Sequence, residues 1–112
     1  MKRGQIWWAE LSEPVASEPG YRRPVIIVQS NDFNKSLINT VVAIAITSNL
    51  RLADAPGNVK LSMEKTGLGR ESVANVSQII TIDKQFLEEK IGQVDHRTMQ
   101  QIDEGIKLVL SL

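Results

Sequence analysis

Two short segments of this chain carry the residue types that phosphate chemistry requires. Tyr21–Arg23 immediately precede Pro24, and Thr47–Asn49 close an apolar run. The guanidinium of arginine presents a planar fork of donors that matches phosphate oxygens, and a hydroxyl group can hold a further oxygen. If the two segments lie side by side, we expect them to form a mouth for a phosphodiester. Residue types alone leave open the alternative that these arginines form surface ion pairs with the glutamates of the preceding segment, Glu10–Glu18.

The composition excludes several familiar catalytic classes. The chain of 112 residues has no cysteine and one histidine, which rules out disulfides, a cysteine nucleophile and catalysis by paired imidazoles. The single histidine, His96, follows a potential helix cap, and we expect it to be a surface residue without a functional role. No metal ligand set, glycine-rich phosphate loop or serine-hydrolase motif is recognisable, so we expect no metal and no cofactor. Thirteen basic and thirteen acidic residues cancel, so a polyanion must be bound by a local cluster.

Runs of apolar and β-branched residues predict six short strands. They are Gln5–Ala9, Val25–Gln29, Val41–Ile46, Val59–Ser62, Ser72–Val76 and Gln78–Ile82. Pro24 lacks an N–H group and suits the first position of the second strand. Trp7 and Trp8 must point to opposite faces of the first strand, so one belongs to the core and the other is available to stack on a base or to contact a partner. The proline- and serine-rich segment between the first two strands, residues 10–21, is predicted to be a binding loop.

Two helices are predicted near the C-terminus. Asp83 is expected to cap a short helix that Gly92 ends, with Phe86, Leu87, Lys90 and Ile91 at helical spacing. Asp95 is expected to cap a helix of about four turns, whose apolar stripe consists of Met99, Ile102, Ile106 and Val109. We therefore predict a mainly β fold of α+β class, in which a small curled antiparallel sheet packs against the last helix. The chain has no internal repeat or linker, so residues 1–112 are predicted to form a single domain, and the lack of any apolar run long enough to span a membrane favours a cytoplasmic protein.

The order of these signals resembles the MazF/PemK (Kid-like) family of type II toxin–antitoxin endoribonucleases. The similarity covers essentially the whole chain, and five segments in the same order and spacing carry it. They are Arg3–Ala9, Ser17–Val25, Val42–Ser48, Ser72–Ile79, and Ile82–Lys84 with Ile91–Gly92.

The resemblance implies an SH3-like barrel, a homodimer, a cognate antitoxin as partner, and metal-independent cleavage of single-stranded RNA at a short sequence. The family's essential pair, the arginine before the proline of the second strand and the threonine that ends the third, falls here on Arg23 and Thr47. Arg23 is chosen over Arg22 because it adjoins Pro24. The residues expected to bind RNA are Ser17, Glu18, Tyr21, Arg22, Ser48 and Gln78.

The chemistry of RNA cleavage is compatible with these residues. Attack by the ribose 2′-OH on the adjacent phosphorus builds negative charge on the phosphoryl oxygens, which Arg23 can stabilise and Thr47 can hold. Two other functions are possible on the same barrel. A CcdB-like toxin binds gyrase without cleaving anything, but it uses a tryptophan near the C-terminus, and this chain has none beyond Trp8. A non-catalytic RNA-binding module would keep its RNA affinity without turnover when Arg23 is replaced by Ala.

Overall fold

The strands of the chain form one antiparallel sheet in the computed structural model, which describes residues 1–13, 15–17 and 20–112. The strands are β1 (Gln5–Glu10), β2 (Arg22–Ile27), β3 (Thr40–Thr47), β4 (Val59–Leu61), β5 (Ser72–Asp83) and β6 (Leu87–Gln93). Their order in the sheet is β4-β5-β3-β2-β1-β6, and every recorded pairing is antiparallel. The predicted fold class, a mainly antiparallel sheet with a C-terminal helix, is confirmed.

The last helix has its predicted cap, and three of its four predicted stripe residues, Met99, Ile102 and Ile106, pack on the core, whereas Val109 is exposed. The described helices are α1 (Asn31–Asn34), α2 (Met63–Thr66) and α3 (His96–Leu110), with 3₁₀ helices at Leu50–Asp54 and Lys84–Phe86. The Asp95 carboxylate accepts the backbone N–H of Thr98 at 2.8 Å, as an N-cap does. Hydrogen bonds from the side chain and backbone of Thr98 lower the pKa of Asp95. Ile102, at the centre of the stripe, is fully buried and anchors α3 on the sheet.

The central strands β2, β3 and β5 have buried residues on both faces of the sheet. One core cluster lies between the sheet and α3 and includes Ile102 of that helix. Its other members are Ile6, Ile26, Ile44, Ile46, Leu61, Leu68, Ala74 and Val76. The opposite face contains Ala9, Val25, Ile27, Val41, Ala43 and Ile82. Because β2 and β3 each contribute alternate residues to both clusters, the ends of these two strands are held rigidly by the core.

The two strands predicted at Ser72–Val76 and Gln78–Ile82 are one strand, β5, so that prediction was wrong. The polar residue between them, Ser77, lies at an irregularity of the ladder with β3. Ile44 pairs with Ile79 and Ile46 pairs with Ala74, so β5 carries extra residues at this point. Such a bulge bends a strand without ending it, and it helps to curl the sheet. A polar residue within an apolar run is found both where one strand bends and where one strand ends and another begins, so the sequence could not distinguish the two.

The helix predicted from Asp83 was also wrong beyond its first turn. Asp83 does act as a cap, because its carboxylate accepts the Gln85 N–H at 3.0 Å, but only a 3₁₀ turn follows. The remaining residues form β6, which pairs with β1. Gly92, expected to end the helix, lies instead where α2 crosses β6, and a Cβ on it would stand 2.0 Å from the carbonyl oxygen of Thr66. This close approach brings the two edges of the sheet together and makes it a curled half-barrel.

Strand β2 begins at Arg22, three residues earlier than predicted, so Pro24 is inside the strand and not at its start. Pro24 pairs with Trp8 of β1, whereas the pairing of β2 with β3 begins only at Val25. At Pro24 the strand therefore has a recorded neighbour on one side alone, and the missing N–H is tolerated as it is on an edge strand. This early start places Arg22 and Arg23 on the sheet and not on a loop.

Candidate active site

The candidate site opens where β2 and β3 separate. Their ladder ends with Val25 opposite Ala45. Arg23 and Thr47 stand two residues beyond this last pair, on the same faces of their strands as Val25 and Ala45, because side chains alternate along a strand. Both residues line one cavity of about 390 Å³. The sequence left open whether the two strand ends lie side by side, and the fold places them side by side.

The cavity is lined by apolar residues together with arginines and hydroxyl-bearing residues. The apolar lining is Trp8, Pro24, Ile46 and Leu68; the polar lining is Arg22, Arg23, Thr47, Ser48, Arg70 and Ser72, and Gly69 completes the wall. Three arginines and no acidic residue are among the described residues that line it. In a chain of zero formal net charge, this is a local positive cluster of the kind that a polyanion requires. A nucleotide, with its flat base and charged phosphate, matches both parts of the lining.

Arg23 and Arg22 are adjacent in sequence but differ in their surroundings. Within the part of the chain that the structure describes, the buried Nε of Arg23 has no hydrogen-bond partner. The Nε of Arg22 instead donates to the Glu88 carboxylate at 2.8 Å. The alternative that glutamates of the preceding segment neutralise both arginines is thus not what the described residues show. Arg23 therefore keeps a donor that no described residue satisfies, whereas one donor of Arg22 is already paired.

The Thr47 hydroxyl is positioned by the start of the next turn. Its Oγ1 accepts the backbone N–H of Asn49 at 3.1 Å, and the Asn49 side chain in turn accepts the N–H of Arg51 at 3.2 Å. A hydroxyl that accepts one bond keeps its own proton to donate. Thr47 is half-buried at the cavity wall, and Ser48 beside it is exposed. The oxygen of Thr47 is therefore fixed while its proton is free to be directed at a phosphoryl oxygen.

Arg70 is a cavity residue that sequence reasoning missed. It follows the Gly67–Gly69 segment, to which the sequence analysis assigned no functional role. Leu68 of this segment is almost fully buried, and Gly67 has φ of +81°, a conformation that favours glycine. The buried leucine and the left-handed glycine turn this segment toward the cavity. Alternating glycines beside an arginine were the only available signal, and that signal is weak.

The other predicted RNA-binding residues lie outside this cavity. The Gln78 Nε2 donates to the Ser17 carbonyl at 2.9 Å, so these two residues do meet, away from Arg23 and Thr47. Tyr21 is exposed with φ of +56°, and its backbone closes the base of the loop through bonds to Leu11 and Ser12. Glu18 lies outside the described residues. The structure thus groups Arg22, Arg23, Thr47 and Ser48 in one place, and Ser17 with Gln78 in another.

A larger cavity elsewhere has the wrong charge for the same ligand. It measures about 540 Å³ and lies between the start of the loop and the end of β5, with Glu10, Glu13 and Asp83 in its lining. Carboxylates repel phosphate, so this cavity is a poorer candidate for binding a phosphodiester although its volume is larger. His96, exposed at the start of α3, lines neither cavity. Among the described residues, no group of three His, Cys, Asp or Glu side chains is placed to hold a metal ion.

The family follows from comparison of the whole chain with known proteins. The family model described as PemK-like, MazF-like toxin of type II toxin-antitoxin system matches residues 2–110. The chain belongs to this family. The resemblance that the ordered segments indicated is confirmed.

Similar proteins of the MazF-like toxin family are named endoribonucleases. Endoribonuclease MazF6 of Mycobacterium tuberculosis is 44% identical over 112 residues, which are 100% of this chain and 98% of that protein. Endoribonuclease EndoA of Bacillus subtilis is 38% identical over 112 residues, which are 100% of this chain and 96% of that protein. A mycobacterial endoribonuclease solved in complex with its cognate antitoxin aligns with a TM-score of 0.83 and 26% identity, covering 100% of this chain and 96% of that one. No helix in the described residues of this MazF-like chain is long and apolar enough to cross a membrane.

Proposed function

We propose that this chain is the toxin of a type II toxin–antitoxin system and acts as a sequence-specific, metal-independent endoribonuclease on single-stranded RNA. The observation that carries the proposal is that Arg23, whose buried Nε has no hydrogen-bond partner among the described residues, lines the same cavity as Thr47 and two further arginines. The endoribonuclease names of relatives that match the full chain support the same activity. We further propose that residues 1–112 form one toxin domain that works in the cytoplasm.

The nucleophile in the proposed reaction belongs to the substrate. The ribose 2′-oxygen attacks the adjacent phosphorus and loses its proton to solvent. The bond from phosphorus to the 5′-oxygen breaks, and that oxygen takes up a proton, which leaves a 2′,3′-cyclic phosphate and a 5′-hydroxyl. Because attack is intramolecular, the protein needs only to align the strand and stabilise charge. DNA lacks the 2′-OH and should remain intact.

Arg23 and Thr47 are the proposed catalytic residues. Arginine stays protonated at neutral pH, so Arg23 acts as a fixed cation that binds the phosphoryl oxygens and hydrogen-bonds the leaving oxygen; it is not a general base. Thr47 donates its hydroxyl proton to a second phosphoryl oxygen. Donors that are already in place when the charge develops contribute the most to such a step, and the rigid ends of β2 and β3 provide that placement.

The remaining predicted residues bind the flanking nucleotides in this proposal. Ser48 follows Thr47 in the chain, and both Ser48 and Arg22 line the cavity. The Ser17–Gln78 hydrogen bond connects the loop after β1 to the sheet, and Glu18 and Tyr21 belong to the same loop. RNA that extends beyond the cavity would reach this second group, which gives the loop a role in choosing the sequence that is cut.

The decisive experiment is cleavage of a long, mostly unstructured RNA in excess EDTA beside DNA of the same sequence. The wild type, Arg23→Ala and Thr47→Val are compared with Arg51→Ala, which removes an exposed arginine outside the cavity. We expect cuts at one recurring short sequence in RNA only, lost in the first two variants and unchanged in the third. Intact RNA with folded wild-type protein would overturn the proposal and move attention to the CcdB-like binding of gyrase. RNA binding without turnover in the wild type would favour a non-catalytic module.

The proposed protein partners are a second copy of this chain and a cognate antitoxin. An acidic segment of the antitoxin fits a cavity rim that carries three arginines. Excess antitoxin segment should abolish cleavage and protect residues 10–21 from a protease that cuts after glutamate. Unchanged proteolysis of this loop in the complex would place the antitoxin elsewhere, and sedimentation of the free chain as a monomer would contradict the dimer.

A further inference from the structure

Trp8 and Arg22 form a stacked pair in one wall of the cavity. The Arg22 guanidinium lies 4.2 Å from the centre of the Trp8 ring, well within the range of cation–π contacts. Both side chains line the cavity that holds Arg23 and Thr47. The neighbouring Trp7 faces the other side of the sheet and packs against the second core cluster. Trp8 is therefore the tryptophan that the core leaves available.

A bulge in β6 supplies the carboxylate that holds this pair. Ala9 of β1 pairs with Leu87 and Trp8 pairs with Glu89, so Glu88 is the extra residue between them. Bulges redirect side chains, and they are frequent beside active sites. Here the bulged Glu88 accepts the Arg22 Nε at 2.8 Å, while the Glu89 carboxylate is 4.0 Å from Arg22 Nη2. Glu10, directly opposite Arg22 in the β1–β2 register, is not its partner.

The effect of this ion pair is orientation and not stability. The Arg22 and Glu88 side chains are 47% and 40% exposed, and half-exposed pairs of this kind contribute little to folding. Two contacts nevertheless restrain the guanidinium plane, the carboxylate at its Nε and the indole face beneath it. The charge of Arg22 is balanced by Glu88, whereas the Nε of Arg23 has no partner among the described residues. The two adjacent arginines thus present different surfaces to a ligand: one is a phosphate donor and the other a flat platform.

We propose that the Trp8–Arg22 pair is the nucleobase-stacking subsite for the nucleotide next to the scissile phosphate, and that Glu88 is its positioning residue. Single-stranded RNA is commonly recognised by bases that stack on aromatic rings and on arginine planes. The inference rests on the proposed function, because the phosphate that orders the strand is the one bound by Arg23. Glu88 does not contact RNA in this proposal. It acts by holding the Arg22 guanidinium over the Trp8 ring.

The test compares variants that separate the plane of Arg22 from its charge. Arg22→Lys keeps the charge but lacks the plane, and Glu88→Gln removes the negative charge that holds it. Glu89→Gln, on the next residue of the same strand and 72% exposed in its side chain, is the matched control. For each variant we measure kcat and KM on an RNA that carries the cut sequence, and the distribution of cuts in a random RNA pool.

We expect Arg22→Lys and Glu88→Gln to raise KM by roughly 5- to 100-fold, the effect of losing one stacked base. We expect kcat at saturation to change by less than about threefold and the base preference at one position of the cut sequence to weaken, while Glu89→Gln resembles wild type. Wild-type KM and preference in Arg22→Lys would overturn the inference, since Arg22 would then act as a simple cation. A lower KM in Glu88→Gln would also overturn it, because Glu88 would then be competing with RNA for Arg22.

A binding measurement distinguishes failure of this subsite from failure of the proposed reaction. In a Trp7→Phe background the remaining tryptophan is Trp8, and its fluorescence reports on stacking. Titration with mixed-sequence single-stranded DNA, which cannot be cleaved through a 2′-OH, should quench this signal, and Arg22→Lys should weaken the titration by a similar factor. Quenching without RNA cleavage would refute the reaction and keep the subsite. Cleavage without quenching would refute the subsite and keep the reaction.

Discussion

Replacing Arg23 with Met should make the protein more stable and nearly inactive. The buried Nε of Arg23 has no hydrogen-bond partner in the described residues, and an unpaired buried donor costs about 1–3 kcal/mol. Met retains most of the aliphatic stem, so its packing beside the core cluster of Val25 is largely preserved. Part of the guanidinium reaches solvent, and losing its hydration offsets some of this gain. We therefore expect a net increase of about 1 kcal/mol in the free energy of unfolding. For a domain of this size, that gain raises Tm by roughly 4 °C.

The same change removes the donor that meets the developing phosphoryl charge in the proposed reaction. Loss of one preorganised donor lowers turnover by about 10²–10³-fold, or roughly 3–4 kcal/mol of transition-state stabilisation. The assays are urea unfolding followed by circular dichroism, and single-turnover cleavage of an RNA that carries the cut sequence. Higher stability together with slower cleavage would indicate that Arg23 is retained for ligand binding although it destabilises the free protein.

Arg22→Met is the informative control because its guanidinium is already paired. Removing the Arg22–Glu88 contact should lower the free energy of unfolding by about 0–1 kcal/mol, the range for half-exposed ion pairs. If Arg23→Met unfolds at lower urea than wild type, its Nε is satisfied in solution and the reasoning is wrong. Cleavage within threefold of wild type in Arg23→Met would show that the cavity does not depend on this cation.

Three further changes test how the scaffold is built. Gly92→Ala places a Cβ 2.0 Å from the Thr66 carbonyl oxygen and should lower the free energy of unfolding by about 1–3 kcal/mol in urea titrations; an unchanged midpoint would contradict the close crossing of α2 and β6. Asn58→Ala leaves the backbone N–H of Val76 without its 2.9 Å acceptor and the Leu52 carbonyl without its 2.9 Å donor, and should cost about 2 kcal/mol; a wild-type urea midpoint would contradict this. The lowered pKa of Asp95 means that its contribution to stability is complete above its unfolded-state pKa and is lost as pH falls through the lowered value. Asp95→Asn still caps the helix but does not titrate, so its stability should depend less on pH in the acid range, and an acid limb identical to that of wild type would contradict this.

Several elements were predictable because their signals are local. The apolar run of β3 and the cap and stripe of α3 each specify an element within one continuous segment, and both are found as predicted. The candidate pair could also be named in advance, since an arginine before Pro24 and a threonine ending an apolar run are visible in the letters. Whether the two strand ends are neighbours was left open by the sequence, and the pairing of β2 with β3 shows that they are.

The errors arose where partners distant in sequence decide the structure. Residues 87–93 are rich in Leu, Glu and Lys, which favour a helix by intrinsic propensity, and only pairing with β1 makes them a strand. Ser77 looked like a break because its polarity is local, whereas the continuity of β5 depends on its ladder with β3. Glycine is required at position 92 because the carbonyl oxygen of Thr66 in α2 lies too close for a Cβ. The residues around Gly92 in the sequence give no sign of this contact.

The sequence by itself determined the types of chemical groups, the apolar runs that become the buried strands, the C-terminal helix and the family. The tertiary structure alone decided what each arginine does. Arg22 and Glu88 are 66 residues apart, and a bulge in β6 brings them together, whereas the Nε of the neighbouring Arg23 has no partner among the described residues. Local propensities act over a few residues, whereas ion pairing, burial and cavity shape depend on side chains that meet only after the sheet has formed. For that reason the candidate residues could be chosen from the sequence, but the different surroundings on which their proposed roles rest could not.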